Sequence, residues 1–264
     1  MIHWIGSPDD SRLEPYRHVG DPEWIRNQDL FVAEGRLVVE RLIGLERYEI
    51  ASILVNRAAH DALIEKLSSV QTDVYVCDDS VLATITGFNF HRGCLALVAR
   101  PAPPAADVLF TARRVLALEG VGNPDNVGGL FRTAAAFGVD GVLLNYSTGD
   151  PFYRKAIRTS MGAALKIPFV RVDDHDWLRT LDEHRRRGFR IVALTPSADA
   201  AILADFAGRI RVSDRLIVLV GAEGPGLNSE TLAHADARVR IPIDSAVNSL
   251  NVVVAAGIAL ERLR

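Results

Sequence analysis

Three stretches in the second half of the chain place glycines, asparagines and charged residues directly after apolar runs. Ligands bind at the carboxyl ends of strands in open α/β sheets. In the first stretch, Ala117–Leu144 (ALEGVGNPDNVGGLFRTAAAFGVDGVLL), a strand leads into a helix predicted to start near Asn126, and Arg132 follows six residues later. The N–H groups at such a helix start could hold a phosphate, with Asn126 as the cap. The alternative is an ordinary strand-to-helix turn with Arg132 on a solvated face.

The second stretch is Leu216–Leu232 (LIVLVGAEGPGLNSETL), in which an apolar strand ends in small residues around Glu223. Small residues allow a ligand to approach the backbone closely. The pattern is not GxGxxG, and GxxxxGK[ST] occurs nowhere in the chain, so neither a dinucleotide nor a nucleoside triphosphate fingerprint is present. The alternative is a loop whose glycines only permit a turn, with Glu223 on the surface.

The third stretch is Arg240–Leu263 (RIPIDSAVNSLNVVVAAGIALERL), in which a strand and a short polar loop lead into a helix. Ser249 or Asn248 is the expected cap of this helix. The alternative is a capped core helix without a ligand. In either case the helix is expected to pack through its apolar residues, namely Leu250, Val253, Val254, Ile258 and Leu260.

The elements that position these stretches alternate regularly along the second half of the chain. Strand-like runs are RVLALEG, GVLLN, IPFVRV, FRIVALT, RLIVLVG and ARVRIPI, and helical segments lie between most of them. Continuous Val/Ile/Leu runs are typical of buried parallel strands, so we expect a doubly wound parallel α/β sheet.

The first half predicts a smaller α/β domain. Helical patterns at 35–46 (GRLVVERLIGLE) and 57–67 (RAAHDALIEKL) alternate with the strand-like runs EIASILV, TDVYVC and CLALVA. A proline-rich segment, RPAPPAAD, separates the two halves, and proline disfavours helix. We therefore predict domains at 1–100 and 108–264, joined by a linker at 101–107.

Composition excludes several classes of protein. The longest apolar run, Val252–Leu260, is far shorter than the roughly 18 to 20 residues that cross a bilayer, and MIHWIGSPDD does not resemble a secretory signal. We expect no membrane span and a cytoplasmic location. The two cysteines, Cys77 and Cys94, lack a CxxC pair or a suitably spaced histidine, so we expect reduced, structural thiols and no zinc site.

The charge pattern gives only a weak indication of nucleic-acid binding. Net charge is −3, with 10 Lys+Arg against 15 Asp+Glu up to Ala106 and 20 against 18 after it. Of the 30 basic residues, 27 are arginine, which suits bidentate phosphate contacts but is explained equally well by genomic base composition.

The order and spacing of the three stretches resemble the SpoU (TrmH-like) branch of the SPOUT methyltransferases over nearly the whole chain. The family motifs appear as NPDNVGGLFRTAAAFG, GAEGPGL, and IPI followed by SLNVVVAAGIAL. The intermediate serine and glycine pattern appears as RTSMGAALKIPF (Arg158–Phe169). The first half resembles the L30e-like substrate-binding domain through LFVAEGRLVVERLI and HRGCLALV.

This resemblance implies an S-adenosylmethionine-dependent RNA methyltransferase that modifies a ribose 2'-hydroxyl of ribosomal or transfer RNA. It also implies a trefoil knot, a homodimer and a reaction that needs no metal. The residues that match the family's donor pocket are Leu194, Thr195, Gly221, Ala222, Glu223, Gly224, Ile241, Ile243, Leu250 and Asn251. The residues that match its catalytic constellation are Asn126, Arg132, Glu223, Ser249 and Asn251.

Two other functions are considered. One is an RNA-binding or ribosome-assembly protein of the same fold without methyl transfer, which the intact polar residues argue against. The other is a nucleotide-cofactor oxidoreductase, which needs a glycine fingerprint that EGVGNPDNVGG does not supply. Within the favoured function, Arg132 is interpreted as a phosphate-binding cation and not as a base, because arginine is effectively never deprotonated.

Overall fold

A computed structural model describes residues 1–86 and 93–263 of the chain. Two residues of the HRGCLALV motif, His91 and Arg92, lie outside the described residues. The strands of the first half are β1 (Ile2–Ile5), β2 (Leu30–Glu34), β3 (Ile50–Asn56), β4 (Asp73–Cys77) and β5 (Cys94–Ala99). Its α-helices are α1 (Glu14–Arg17), α2 (Pro22–Asn27), α3 (Arg36–Ile43), α4 (Arg57–Ser69) and α5 (Asp79–Thr86).

The second half continues with strands and helices in alternation. Its strands are β6 (Arg114–Glu119), β7 (Gly141–Asn145), β8 (Phe169–Val172), β9 (Phe189–Leu194), β10 (Ala201–Ile202), β11 (Arg215–Gly221) and β12 (Ala237–Arg240). Its α-helices are α6 (Pro124–Ala136), α7 (Arg154–Thr159), α8 (Trp177–Arg186), α9 (Leu203–Ala207), α10 (Ser229–His234) and α11 (Val252–Arg262). Short 3-10 helices occur at Ser11–Leu13, Ala106–Thr111, Ala163–Leu165 and Asp174–Asp176.

The chain forms two compact units whose boundaries differ from the predicted domains. The first unit contains residues 1–102 and 152–166, and the second contains 103–151 and 167–264. The predicted linker, 101–107, includes the first crossing point. The prediction did not foresee that 152–166 leaves the second unit. This segment belongs to the first unit because Phe152 stacks on Phe31 at 4.7 Å and α7 packs against β2.

The second unit is built on a seven-stranded sheet in the order β10-β12-β9-β11-β6-β7-β8. Every pairing in this sheet is parallel. Strands β6, β7 and β11 are buried along most of their length, as expected for strands covered by helices on both faces. The predicted parallel α/β fold is therefore confirmed. The two-residue edge strand β10 was not predicted, because it is too short to show a pattern.

The first unit contains a mixed five-stranded sheet in the order β1-β4-β3-β5-β2. Strands β1, β4 and β3 are parallel, and β5 runs antiparallel to β3 and β2. The predicted strands β3, β4 and β5 are present, whereas β1 and β2 were not identified as strands. Neither has a clear pattern: β1 is a four-residue edge strand, and β2 runs directly into the turn before α3.

Both cysteines lie inside the first unit and are unpaired. Cys77 ends β4 and Cys94 begins β5, and both side chains are buried. Burial raises the pKa of Cys77 to about 11 and that of Cys94 to about 12, so both remain thiols at neutral pH. Across residues 1–86 and 93–263, no helix combines the length and the apolar character needed to cross a lipid bilayer.

Candidate functional site

A pocket of about 400 Å³ lies at the carboxyl ends of three adjacent strands of the second unit. These strands are β12, β9 and β11, neighbours in the parallel sheet, so the loops that follow them emerge at one edge. The pocket is lined by Leu194, Thr195, Pro196, Val220, Gly221, Ala222, Glu223, Gly224, Gly226, Ile241, Ile243, Ser249, Leu250, Asn251, Val252 and Ala255. Its volume falls within the range of about 300 to 1,000 Å³ that is typical of small-molecule sites.

The loop after β11 folds back on its own strand at Gly221. A Cβ atom at this position would lie 2.3 Å from the carbonyl carbon of Gly226. This distance is too short for any side chain to be accommodated. An isolated bridge joins Ala222 to Gly226, and Gly224 and Gly226 have φ values of 88° and 73°. These left-handed conformations favour glycine. The glycines are therefore required by the turn itself, and the turn forms one wall of the pocket.

Asn251 connects two of the sequence motifs through its side chain. Its Oδ1 accepts a hydrogen bond from the Val253 backbone N–H at 2.9 Å, which makes Asn251 the cap of α11. Because Oδ1 is used in this way, Nδ2 faces the other direction. It donates to Glu223 Oε1 at 2.8 Å and to Asn126 Oδ1 at 3.1 Å. This network holds residues from α6, the loop after β11 and the start of α11 together.

Two predicted helix caps are wrong. Helix α6 begins at Pro124, and Asn123 is its cap, accepting from the Asp125 N–H at 2.9 Å, because proline at the first position needs no hydrogen bond. Asn126 lies inside this helix and is buried. Helix α11 is capped by Asn251 and not by Ser249 or Asn248, which lie in the exposed loop before it.

Arg132 is the predicted catalytic residue that the structure does not bring to the pocket. It is the ninth residue of α6, about 12 Å along the helix from its start. This distance exceeds the first turn, over which the helix dipole acts. The side chain is exposed, and it forms no hydrogen bond or ion pair with any residue in the described part of the chain. Arg132 therefore lies well beyond the helix start that was expected to hold a phosphate, and its guanidinium is available to a partner.

Every residue predicted to bind the donor lines the pocket: Leu194, Thr195, Gly221, Ala222, Glu223, Gly224, Ile241, Ile243, Leu250 and Asn251. Of the predicted catalytic residues, Glu223, Ser249 and Asn251 also line it, and Asn126 is one hydrogen bond away. An uncharged ring could pack against the apolar side chains of Leu194, Ile241 and Leu250. Its polar edges could contact the backbone of the glycine turn.

The structure adds positioning residues that the sequence analysis did not identify. Glu119 is 3% exposed, and its carboxylate accepts hydrogen bonds from Trp177 Nε1 at 2.8 Å and from the Asn228 N–H at 2.7 Å. It therefore fixes the far end of the loop that contains Glu223. The sequence pattern that could have identified Glu119 is a single acid at the end of an apolar strand, in ALEG. Burial of such an acid without a partner would be unfavourable.

A second positioning group holds the loop after β6. Asn145 is buried, and its Oδ1 accepts from the Gly120 N–H at 2.9 Å and from Thr148 Oγ1 at 2.7 Å. Arg171 donates to the backbone carbonyls of Thr148 at 2.6 Å and Gly149 at 3.0 Å. Apart from the contact between Asn145 and Thr148, these contacts join residues more than twenty positions apart, so no local pattern predicts them.

One group of potential metal ligands occurs among residues 1–86 and 93–263. The ligand atoms of Asp173, His175 and Asp176 lie within 4.8 Å of one another at the surface. None of the three lines the pocket. Asp176 also forms an ion pair with Arg179 at 2.9 Å. The expectation of a reaction without a metal stays a prediction.

Comparisons with known proteins identify relatives of this chain in sequence and in fold. The SpoU rRNA Methylase family model matches residues 113–261. An uncharacterized tRNA/rRNA methyltransferase of Mycobacterium tuberculosis is 38% identical, covering 98% of this chain and 91% of the relative. The crystal structure of an AdoMet-bound rRNA methyltransferase from Sinorhizobium meliloti superposes with a TM-score of 0.83 at 26% identity, covering 100% of this chain and 97% of that one. An RNA 2'-O ribose methyltransferase structure has a TM-score of 0.76 at 23% identity, covering 99% and 98%, which shows the fold alone.

Proposed function

This chain belongs to the SpoU rRNA methylase family, and we propose that it transfers the methyl group of S-adenosylmethionine to a ribose 2'-hydroxyl of ribosomal or transfer RNA. The observation that carries the proposal is the pocket at the ends of β9, β11 and β12, lined by residues of the second and third motifs. The AdoMet-bound state of the Sinorhizobium relative supports the identity of the donor. A cytoplasmic location stays a prediction.

The pocket residues fit such a donor. The glycine turn at Gly221 leaves backbone where a Cβ would collide, so a ligand can lie against the main chain. Apolar side chains, including Leu194 and Leu250, would contact the adenine ring, and Glu223 and Asn251 would hold polar groups. The donor supplies an electrophilic methyl group on a positively charged sulfur. In the transfer, the ribose oxygen forms a bond to the methyl carbon while the carbon–sulfur bond breaks, and the hydroxyl proton is released.

The protein's contribution to this reaction is positioning and electrostatics. The network of Asn126, Glu223 and Asn251 fixes the mouth of the pocket before any substrate binds. Arg132 is exposed, has no internal partner among the described residues and does not line the pocket of its own chain. In the homodimer proposed below it would act at the pocket of the second copy, where it would hold the adjacent RNA phosphate and stabilise the developing alkoxide. The proton would leave through that phosphate, Glu223 or water.

We further propose the trefoil knot, the L30e-like identity of the first unit and the homodimer that the resemblance implies. Support for a dimer comes from α11. Val254 and Ile258, expected to pack in the core, are 51% and 37% exposed. They lie four residues apart on one face of the helix, where a second copy of the chain could cover them.

The alternative is an RNA-binding protein of the same fold without methyl transfer. Donor binding separates the two functions. S-adenosylmethionine and its demethylated product should each raise the Tm by mass action, whereas NAD and ATP should not. An equal response to NAD would contradict the donor assignment.

Gly221→Ala tests whether the donor occupies this pocket. The added Cβ displaces the loop after β11, so donor affinity should fall by about tenfold or more, equivalent to about 1.4 kcal/mol. Gly208→Ala is the matched control, because its Cβ would meet atoms no nearer than 3.8 Å. Methyl transfer from labelled donor to RNA of a deletion strain should follow the same order. Unchanged donor affinity in Gly221→Ala would place the site elsewhere.

A further inference from the structure

The first compact unit includes a purely basic segment from far along the chain. Residues 1–102 contain 10 Lys+Arg and 15 Asp+Glu. Residues 152–166, which belong to the same unit and which we name the basic segment, contain four cations and no acid. The four are Arg154, Lys155, Arg158 and Lys166. An acidic unit therefore includes one segment whose charge attracts anions.

A buried carboxylate fixes two of these cations. Glu34 is 3% exposed at the end of β2. It accepts hydrogen bonds from Arg154 Nη1 at 3.0 Å and from Arg158 Nη1 at 3.2 Å. The two arginines are four residues apart on α7, so one carboxylate holds both on the same side of the helix. In this group of three, two guanidinium groups share one carboxyl group.

Arg158 retains donors for a partner. Its bonds to Glu34 use Nη1, and its side chain is 32% exposed. Within the described residues, Nε and Nη2 of Arg158 make no hydrogen bond. A guanidinium fixed at one nitrogen and exposed at the others is arranged to donate to a phosphate.

Further arginines lie along the same segment. Arg41 donates to the backbone carbonyl of Met161, and Arg47 donates to that of Leu165. The acid beside Arg41, Glu40, is paired with Lys66 at 2.6 Å. Because Glu40 is paired with Lys66, it does not neutralise the positive charge of Arg41 beside the basic segment.

We propose that the basic segment is a surface of the first unit that contacts the RNA phosphate backbone, with Glu34 as the residue that positions Arg154 and Arg158. The inference rests on the proposed function, because that function supplies an RNA substrate. Several cations on one segment suit a polyanion with regularly spaced charges. It also explains how a unit with an acidic sequence can take part in RNA binding.

The test measures binding of labelled transfer RNA and protein-free ribosomal RNA as a function of salt. Arg158→Ala and Lys155→Ala should each weaken binding of the RNA bound by the wild type by up to about tenfold near 0.1 M salt, and each should reduce the slope of log affinity against log salt by about one. Arg57→Ala is the matched control, since Arg57 is exposed on α4 and pairs with Asp78. Donor affinity should stay unchanged in all three variants.

Glu34→Gln tests the positioning role separately. Removing the carboxylate raises the local positive charge, which alone would strengthen RNA binding. The arginines also lose the group that orients them, so on the positioning account RNA affinity should fall while the salt slope stays near that of the wild type, and a rise in affinity would contradict that account. A residue with a purely structural role would lower the Tm without changing RNA affinity in the folded protein. If Glu34→Gln does not fold, Arg158→Ala and Lys155→Ala decide the inference.

Unchanged affinity and salt slope in both cation variants would overturn the inference. A protein partner for the segment would give this result. A wild-type chain that binds neither RNA would instead contradict the proposed function itself, so the two failures are distinguishable.

Discussion

At the residue scale, the site combines side chains whose roles depend on their neighbours. Asn251 both caps α11 and donates to Glu223 and Asn126. The motif predicted that Asn251 belongs to the site, but it did not predict that Asn251 caps α11. Ser249 and Asn248 are equally good caps by residue type. By contrast, Arg132 is conspicuous for having no internal partner among residues 1–86 and 93–263, which is consistent with a role toward substrate.

Arg132→Ala should fold normally and lose activity. The side chain is exposed and contributes little to packing, so the Tm and donor affinity should stay near those of the wild type. Loss of a transition-state cation should lower the single-turnover rate by about 10²-fold or more. Arg132→Lys keeps the charge without the planar fork and should recover only part of the rate. Undiminished methyl transfer by Arg132→Ala would remove this arginine from the mechanism.

His184 should make stability depend on pH. Its ring is fully buried, Nδ1 lies 2.8 Å from the Thr180 carbonyl, and burial lowers the pKa of His184 below its ordinary value. Below a pH of about 6.5 the unfolded chain therefore binds a proton that the folded chain does not, so the free energy of unfolding falls as the pH drops.

Replacing His184 by leucine should flatten this dependence. Tm measured between pH 7.5 and 5.5 should fall less steeply in His184→Leu than in the wild type, whatever its absolute value. His175→Leu is the control, because the side chain of His175 is 76% exposed. Equal slopes in wild type and His184→Leu would contradict the assignment.

At the element scale, six of the seven strands of the second unit were predictable, whereas the starts of α6 and α11 were not. Continuous apolar runs such as RLIVLVG mark β11 because a strand buried on both faces excludes polar residues. The start of α6 was misplaced by two residues, because Asn123 and Asn126 are both good caps and only the position of Pro124 distinguishes them. The attachment of α7 to the first unit could not be predicted, since it depends on Glu34, more than a hundred residues away.

Close packing of α6 on α11 should be sensitive to Gly129. A Cβ atom there would lie 2.7 Å from Val253 Cγ2. Gly129→Ala should therefore reduce the free energy of unfolding by about 1 kcal/mol, despite the higher helix propensity of alanine. Combining it with Val253→Ala removes the clash, so the double variant should be more stable than the sum of the single effects predicts. Strict additivity in chemical denaturation would contradict this packing.

At the scale of the whole molecule, the chain divides its chemistry between two units. The second unit contains the pocket and the motif residues, and the first unit contains the basic segment. The residues that the family resemblance assigns to the donor all line one pocket, because that pocket lies at the ends of strands that the sequence marks clearly. Their role in donor binding stays a prediction. Which segments belong to each unit depends on contacts between residues that are distant in sequence. Local sequence patterns do not encode such contacts.

The exposed face of α11 should join two copies of the chain. Val254→Glu introduces a charge on this face, so it should convert a homodimer into a monomer at micromolar concentration without unfolding α11. Light scattering measures the mass directly. Val212→Glu is the control for the added charge, because Val212 is also an exposed valine, at 74% exposure, and lies outside α11. A monomeric wild-type protein would contradict the proposed dimer.

The central claim is methyl transfer to a ribose hydroxyl by the pocket at the ends of β9, β11 and β12. RNA from a strain lacking the protein should be incubated with methyl-labelled S-adenosylmethionine and the wild-type chain, then digested to nucleosides and separated by chromatography coupled to mass spectrometry. We expect label in one 2'-O-methylated nucleoside, with its yield strongly reduced by Gly221→Ala. Label on a base, or no label with protein that binds the donor, would contradict it.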